Sequence, residues 1–312
     1  MHAMSSQLLT QRMGESMLRK NPRCRLGWLL FCGMFFSASS LVWAAEVQSP
    51  WKFVFSLQGQ GKGMALPVAL YVDHEKERYY VVDSTGNKLV SFGADGKYLQ
   101  EFTAEGNLKK PYDMVRLADG SLLVVEKGRN SLTRVDLKNK KTVHTVVKHQ
   151  GQDVFVDRLE IAGGKVYVLD RSSGRILQLD ETLQTAKSYT MPAGAGWLAD
   201  FKVAEKKVWV LDQKKKQVYS YDENGRPSPA IQLTGIDFPV SLAVDPAGLL
   251  YVLDRHRAAI VAFGRNGEVK YQFLTKGQGR DNLYFPQEIR FDHLGRLCVV
   301  DEGNSRVMVF KR

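Results

Sequence analysis

The stretch LYVLDRHRAAIVAFGRNG, residues 250–267, joins an apolar run ending on an acid to a basic loop and a second apolar run. The same arrangement occurs six times along the chain. The six runs are YYVVD ending at Asp83, LLVVE at Glu126, VYVLD at Asp170, VWVLD at Asp212, LYVLD at Asp254 and LCVVD at Asp301. The acids lie 43, 44, 42, 42 and 47 residues apart. Internal similarity at a spacing of 42 to 47 residues, built from short apolar runs, indicates a protein made of repeated structural units.

Positions after each acid keep the same register in all six repeats. Six residues after each acid there is an aliphatic residue: Leu89, Leu132, Ile176, Val218, Ile260 and Val307. Three residues further on there is a second apolar residue: Phe92, Val135, Leu179, Tyr221, Phe263 and Phe310. Turn signals such as ADG, AGG, DPAG, DENGR and GRNGE divide each repeat into four short strands. Strands that are apolar on both faces are covered on both sides, as in blades that pack against neighbouring blades.

The last repeat has no fourth strand, because the chain ends at VMVFKR. The stretch WKFVFSL, residues 51–57, is rich in strand-forming residues and belongs to no repeat. It can complete the sixth blade, which would close the ring and remove the open sheet edge. We therefore expect an all-β single domain over residues 45–312, a six-bladed β-propeller with four-stranded blades.

Two repeats carry the motifs of a known family. GQGRDNLYFPQEIRFDHLGRLCVVDEGNSRVMVF resembles the NHL repeat in its Gly-x-Gly…Phe-Pro opening, its VVD strand and its Asn-x-Arg-Val turn. GQGKGMALPVALYVDHEKERYYVVDSTGNKLVSF is a second copy, whereas the repeats between Val154 and Phe263 keep the spacing and lose the Asn. The resemblance, to NHL propellers of an exported bacterial type, implies the architecture from about Trp51 onwards. It does not imply an activity, because function resides in sites placed on folds.

The first 44 residues look like a signal peptide. Five basic residues precede the apolar run LGWLLFCGMFFSASSLVWAA, and small residues follow at the positions that a signal peptidase prefers. We expect cleavage after Ala44, with Met13 or Met17 as alternative starts. An uncleaved anchor is the alternative, since the run is nearly long enough to span a bilayer. The signal predicts a periplasmic or secreted protein; a lipoprotein site at Cys32 is disfavoured by the bulky Phe31 before it.

Removing this segment lowers the net charge from +11 to +7 and leaves Cys298 as the single cysteine. An intramolecular disulfide is then excluded. Cys298 lies in the apolar run LCVV, which predicts a buried thiol.

The acid that ends each run is expected to cap the following turn by accepting backbone N–H bonds. The loops after the acids read STGNK, KGRNS, RSSGR, QKKKQ, RHRAA and EGNSR, and all lie on one face of the predicted ring. We expect that face, the basic face, to dock a partner through Arg129, Arg171, Arg175, Lys214, Lys215, Lys216, Arg255, Arg257 and Arg306. Loops between blades add Lys109, Lys110, Lys148, Lys276 and Arg280, against Glu105, Asp153, Asp237 and Asp281. The alternative is that these residues are solvated turn tips that serve solubility.

The partner follows from the expected compartment. We expect an acidic protein or another anionic envelope component, bound by electrostatic complementarity. Cytoplasmic NHL propellers can bind RNA on this face, but an exported protein would not meet nucleic acid. Membrane contact would be peripheral or through an uncleaved signal, and we expect a monomer.

Residues at the start of the inner strands are candidates for chemistry at the channel mouth. Aligning the repeats places Ala69, Asp113, Arg158, Asp200, Ser241 and Glu288 at one position, next to Tyr112. Asp113, Asp200 and Glu288 on alternate blades could converge on a hard cation, as in calcium-dependent lactonases of similar topology. A metal-dependent hydrolase or lactonase is therefore the alternative function, although pairing of these acids with Arg158 and nearby lysines is favoured. No catalytic residue and no cofactor is expected, apart from such a divalent cation.

Other chemical sites lack the required residues. The histidines at positions 74, 144, 149, 256 and 293 do not recur at the channel mouth, so a histidine-rich zinc site is not expected. Five aromatic residues lie at or just before inner-strand starts, and we expect most to wedge between blades as core: Tyr112, Trp197, Phe238, Tyr284 and Phe285. Tyr112 is the first candidate to line the central depression. The sequence thus favours a binding module, then a metal-dependent hydrolase, then a purely structural spacer.

Overall fold

The computed structural model describes residues 49–59 and 63–312, and the predicted signal segment lies outside them. The described chain is an all-β ring of six four-stranded antiparallel blades, which confirms the predicted propeller. Blade 1 comprises Pro67–Asp73, Arg78–Asp83, Lys88–Gly93 and Tyr98–Phe102. Blade 2 comprises Pro111–Arg116, Leu122–Glu126, Ser131–Asp136 and Lys141–Thr145. Blade 3 comprises Val156–Ala162, Lys165–Asp170, Arg175–Leu179 and Thr185–Thr190.

The second half of the ring repeats this plan. Blade 4 comprises Leu198–Ala204, Lys207–Asp212, Gln217–Tyr221 and a short outer strand, Ile231–Gln232. Blade 5 comprises Pro239–Val244, Leu250–Asp254, Ala259–Phe263 and Val269–Phe273. Blade 6 comprises Glu288–Phe291, Leu297–Asp301, Arg306–Lys311 and, from the start of the chain, Lys52–Leu57. Short elements between blades are Ala104–Gly106, Lys148–His149 with Gln152–Asp153, and Thr275–Lys276 with Asn282–Leu283. Within blade 6, the 3-10 turn Glu302–Asn304 joins the second and third strands.

The inner strands of neighbouring blades contact one another all the way round, including the inner strands of blades 6 and 1. Six hydrophobic clusters of described residues fill the six spaces between blades. The second strands are buried along most of their length, as their continuous apolar runs predict. Cys298 is buried in the cluster between blades 6 and 1, as predicted.

The N-terminal strand closes the ring, which confirms that expectation. Lys52–Leu57 pairs antiparallel with Arg306–Lys311, with a bulge between Phe53 and Phe55. Leu57 is fully buried in the cluster between blades 6 and 1, and Trp51 packs near Phe273 at the other side of the blade. The strand therefore both satisfies the outer edge of blade 6 and fills its flanks.

Within residues 49–59 and 63–312, no helix has the length and hydropathy needed to cross a membrane.

Leu57→Ala is expected to lower the free energy of unfolding by about 2–5 kcal/mol, because it opens a cavity in a fully buried cluster. Val54 lies on the same strand but is exposed, so it provides the matched control. Val54→Ala should change the free energy of unfolding by less than about 0.5 kcal/mol. Urea unfolding followed by tryptophan fluorescence measures both. Equal effects would contradict the closing role of this strand.

Candidate functional site

The acid that ends each second strand is buried. In blades 1, 4 and 5 it accepts backbone N–H bonds from the following loop, as the sequence predicts. In blades 2, 3 and 6 it is held by side chains or by the N–H of the preceding loop instead. Asp254 accepts bonds from the N–H groups of His256 and Arg257 in the following loop, both at 3.1 Å. It also accepts bonds from Asp237 N at 2.6 Å and Phe238 N at 3.2 Å, in the loop that enters the same blade. Asp254 therefore joins two loops rather than capping one, whereas Asp170 accepts its bonds from Ser172 and Ser173 of a single loop.

The same bridging occurs in blades 1 and 4. Asp83 accepts bonds from the N–H groups of Ala65, Leu66 and Gly86, and Asp212 from those of Gly196 and Lys215. Because these oxygens already hold backbone groups that have no other partner, the recurring acids serve architecture.

A second set of polar side chains forms a circuit around the central channel that links four of the six pairs of neighbouring blades. The side chain at the aligned position of one blade accepts the N–H of the inner strand of the next blade. The bonds are Glu288 to Leu70 N at 2.9 Å, Asp113 to Leu159 N at 2.8 Å, Asp200 to Leu242 N at 3.0 Å and Ser241 to Ile289 N at 3.1 Å. This circuit ties neighbouring blades together at their innermost strands.

The circuit explains why acids occupy alternate blades. Blades 1 and 3 carry Ala69 and Arg158 at the aligned position, and neither side chain can accept a hydrogen bond. The N–H groups that they cannot serve, those of Met114 and Phe201, bind instead to Asp113 Oδ1 at 2.8 Å and Asp200 Oδ1 at 2.9 Å. Asp113 and Asp200 thus each serve two amides, which is a structural reason for a carboxylate.

Three further ionic residues line the channel that the sequence analysis did not identify: Glu160, Lys202 and Arg290. Lys202 Nζ lies 3.0 Å from Asp200, 3.2 Å from Glu160 and 3.4 Å from Glu288. The guanidinium of Arg290 donates to both Glu160 oxygens, at 3.0 and 2.8 Å, and to Glu288 at 3.0 Å.

A signal for these residues was present in the sequence. Each lies two residues after an aligned channel position, and residues two apart on a strand share a face.

Arg158 differs from the other channel cations because it has no carboxylate ion pair among the described residues. Its guanidinium is buried, donates one bond to Val68 O at 3.4 Å and lies 4.9 Å from the centre of the Tyr112 ring. Lys127 Nζ lies 4.8 Å from the same ring centre. Tyr112 therefore adjoins two cations and is half-buried beside the channel.

The channel shifts the titration of two carboxyl groups in opposite directions. Burial, reinforced by the negative charge of Glu288, raises the pKa of Asp113 to about 7. Burial also opposes ionisation of Glu288, but the nearby Arg290, Lys202 and Arg158 outweigh it and lower the pKa of that carboxyl to about 2.

The predicted weak cation ligands do not form a suitable donor set for a divalent metal ion. The oxygens of Asp113, Asp200 and Glu288 all accept bonds from protein N–H, O–H or cationic groups. The ammonium of Lys202 and the guanidinium of Arg290 stand where a cation would need to approach. In the part of the chain that is described, no group of three or more His, Cys, Asp or Glu side chains is placed to hold a metal.

The residues predicted for the basic face divide into two groups. Several are engaged within the chain: Arg255 pairs with Glu302 at 3.1 Å, Arg306 with Asp301 at 2.9 Å, and Arg129 contacts Glu126 and His144. Arg257 donates to Gly235 O, and Arg171 lies 3.7 Å from Asp157.

The second group makes no such contacts. Arg175, Lys214, Lys215 and Lys216 form no ion pair with a carboxylate of residues 49–59 or 63–312, and Lys214 and Lys215 are exposed. Among the nine residues predicted to dock a partner, the free positive charge thus lies on blades 3 and 4.

The expectation that the inner-strand aromatic residues are core is wrong for two of them. Trp197 is 65% exposed and Phe285 is 43% exposed. Phe238 is partly buried and stacks on the His256 ring at 4.3 Å. These side chains lie at the entrance loops of their blades, above the buried interface, where the chain has not yet entered the packed sheet.

Comparison with known proteins gives weak sequence relatives and a clear fold. No protein-family model matches the chain. NHL repeat-containing protein 3 of Mus musculus is 26% identical over 180 residues, and that of Homo sapiens is 24% identical over the same length. The match covers 51% of this chain and 51% of each relative, so the chain matches about half the length of these curated proteins.

Among solved structures, a streptogramin B lyase aligns with a TM-score of 0.60 at 12% identity, over 84% of this chain and 97% of that one. A gluconolactonase from Xanthomonas campestris aligns with a TM-score of 0.62 at 13% identity, over 85% and 95%. An auxiliary nutrient binding protein from Bacteroides thetaiotaomicron aligns with a TM-score of 0.60 at 15% identity, over 80% and 69%. At these identities the likeness shows the fold alone.

Asp254→Asn is expected to lower the free energy of unfolding by about 3 kcal/mol, because an amide cannot accept all four backbone bonds and buries a new donor. Asp222→Asn, which changes an exposed turn carboxylate that also accepts backbone N–H groups, should cost less than about 1 kcal/mol. Urea unfolding compares the two. An equally small loss at Asp254 would refute the bridging role.

The pKa of Asp113 also predicts a pH dependence. The unfolded chain releases this proton near pH 4, while the folded protein keeps it to about pH 7. The folded state therefore binds more protons between these values, and the free energy of unfolding falls as pH rises.

Asp113→Asn should reduce this fall, measured by urea unfolding at pH values from 4.5 to 7. Asp180→Asn is the control, because hydrogen bonds from Thr182 and Gln184 keep the pKa of Asp180 below its ordinary value and outside this range. A wild-type slope in the Asp113 variant would contradict the assignment.

Proposed function

Because this chain is an NHL-repeat six-bladed β-propeller, we propose that it is an exported, non-catalytic binding module for an acidic protein. The partner docks on the basic face, which carries the loops between the second and third strands. Arg and Lys residues there steer the partner by long-range attraction and pair with its carboxylates on contact.

The observation that carries this proposal is the group of free cations on blades 3 and 4. Arg175, Lys214, Lys215 and Lys216 carry no structural ion pair in the described chain, so their charges remain available to a partner. By contrast, Arg255 and Arg306 hold loops through carboxylates and backbone carbonyls. Substituting those two would disturb the fold as well as binding.

A non-catalytic role agrees with the hydrogen bonding of the buried acids. The carboxylates at the ends of the second strands and around the channel already accept bonds from two or more protein groups. A general base or a nucleophile must lie within hydrogen-bond reach of its substrate, whereas these carboxylates are buried and held by protein donors. The metal-dependent hydrolase, kept as an alternative from the sequence, has fold similarity in its favour and no suitable set of ligands.

Export is part of the proposal and is supported by the charged and apolar pattern of residues 1–44. In the periplasm or outside the cell, a basic surface would meet acidic envelope or secreted proteins.

The test is affinity capture from an envelope extract with two charge-matched variants. The first, Arg175→Glu, Lys214→Glu, Lys215→Glu and Lys216→Glu, reverses the free cations of the basic face. The second, Lys76→Glu, Lys138→Glu, Lys165→Glu and Lys206→Glu, reverses four exposed lysines in or next to turns of the opposite face. Both change the net charge equally, so only position distinguishes them.

We expect an acidic protein to be retained by the wild type and by the opposite-face variant, and to be lost from the basic-face variant. Retention should fall as salt rises, since surface charges are screened. Capture that is equal for both variants, or absent throughout, would contradict the proposal and favour a structural spacer. A stoichiometric divalent metal in the purified protein would instead favour the hydrolase.

A further inference from the structure

In residues 49–59 and 63–312, every exposed aromatic side chain occupies the same position of its blade. The aligned inner segments of blades 1 to 6 begin at residues 67, 111, 156, 198, 239 and 286. The residues directly before them are Leu66, Lys110, Phe155, Trp197, Phe238 and Phe285. Phe155 is 54% exposed, and Trp197 and Phe285 are the other two exposed aromatic residues. Blades 3 to 6 thus carry an aromatic arc: Phe155, Trp197, Phe238 and Phe285.

The arc lies on the basic face, because Phe155, Trp197 and Phe238 immediately precede inner strands and Phe285 lies three residues before one. Aromatic residues are enriched in protein interfaces. Tryptophan and arginine are also the residues that most often dominate the binding energy of protein interfaces. The arc therefore adds short-range apolar contacts to a surface whose charge acts at long range.

A groove of about 730 Å³ beside Trp197 combines both kinds of contact. It lies between the outer part of blade 3 and the loop that enters blade 4. Its lining includes His149, Arg171, Arg175, Met191 and Trp197, and contains no Asp or Glu. The volume is within the range of ligand-binding clefts.

The loop that carries Trp197 is firmly held. Gly196 N donates to the buried Asp212 Oδ2 at 2.5 Å, and Trp197 O accepts a bond from Gln213 N at 2.8 Å. A Cβ on Gly196 would lie 2.6 Å from the Cβ of Lys214, so the glycine permits this close approach. The indole is thus presented by a fixed backbone, next to Lys214, which reduces the entropy lost on binding.

We propose that this groove binds a short segment of the partner protein that carries both acidic and apolar side chains. An apolar side chain of the segment packs on Trp197, and carboxylates of the segment pair with Arg175, Lys214 and Lys215. Arginine suits this role because its guanidinium can bind a carboxylate through two bonds.

Charge complementarity selects this occupant over a segment of the chain itself. Residues 1–44 contain five basic residues and one acidic residue, so their charge matches that of the groove instead of opposing it. This inference rests on the proposed function, since it names the segment of the acidic partner that makes the specific contact.

The test is selection of a phage-displayed library of random twelve-residue peptides on the purified protein. We expect enriched peptides to combine Asp or Glu with aromatic or aliphatic residues. Synthetic copies should bind at least tenfold more weakly to Trp197→Ala, measured by fluorescence anisotropy. Leu294→Ala is the control, because Leu294 is also 65% exposed but lies in a turn of the opposite face.

Arg175→Gln with Lys214→Gln should weaken binding and flatten its salt dependence, whereas Lys138→Gln with Lys206→Gln should do neither. The inference fails if no peptide is enriched, or if the selected peptides bind Trp197→Ala as well as they bind the wild type. It also fails if an oligogalacturonate, used as an anionic sugar probe, binds through Trp197 while peptides do not.

Failure of this inference is distinguishable from failure of the proposed function. If the captured protein is lost from the charge-reversal variant but retained by Trp197→Ala, the basic face is the docking site and this groove is not. If capture ignores both changes, the proposed function itself is wrong.

Discussion

A buried carboxylate at the end of every second strand is the interaction on which this propeller depends. Backbone bonds satisfy only part of the N–H groups in the loops that enter and leave a blade, and a carboxylate accepts several of the remaining N–H bonds at once in a small space. Asp254, which accepts four, shows the principle most fully. Where the acid joins the loop before the inner strand to the loop after the second strand, as in blades 1, 4 and 5, it also fixes how the blade presents its surface on the basic face.

Side chains around the channel also satisfy backbone N–H groups, in this case those of the inner strands. Inner-strand amides that face the channel would be unsatisfied if apolar residues lined it, and buried amides without partners are costly. The circuit of side chains from blade to blade meets this need, and Lys202 and Arg290 offset the negative charge that it brings. The centre of the ring, where enzymes of this fold class could place chemistry, is here filled by structural polar contacts. What is left free for a partner is the rim: unpaired cations and exposed aromatic rings.

The sequence predicted the architecture well because the repeat recurs in register six times. The acids, the closing strand and the buried Cys298 followed from spacing and polarity alone. Three features could not be predicted in this way: the role of the channel acids, the partners of Lys202 and the contacts of the loop residues. The aligned acids of the channel suggested metal ligands, because the one-dimensional pattern does not show which backbone N–H group each oxygen meets. The partners of Lys202 come from blades 3, 4 and 6, a juxtaposition that only ring closure creates.

The loop residues show the third limit. Arg257 and Lys215 occupy the same position in the repeats, yet Arg257 donates to Gly235 O and Lys215 forms no ion pair in the described chain. Trp197 and Phe238 occupy the same register, but Phe238 has His256 to stack on and Trp197 remains exposed. Such differences depend on loop geometry and on neighbours from other repeats, which periodicity does not contain.

The most direct measurement is hydrogen–deuterium exchange of the protein alone and bound to the acidic protein that it captures. The account predicts slower exchange in residues 191–197 and 213–216, with the turns of the opposite face unchanged. Protection confined to the opposite-face turns, with residues 191–197 and 213–216 exchanging as in the free protein, would contradict it.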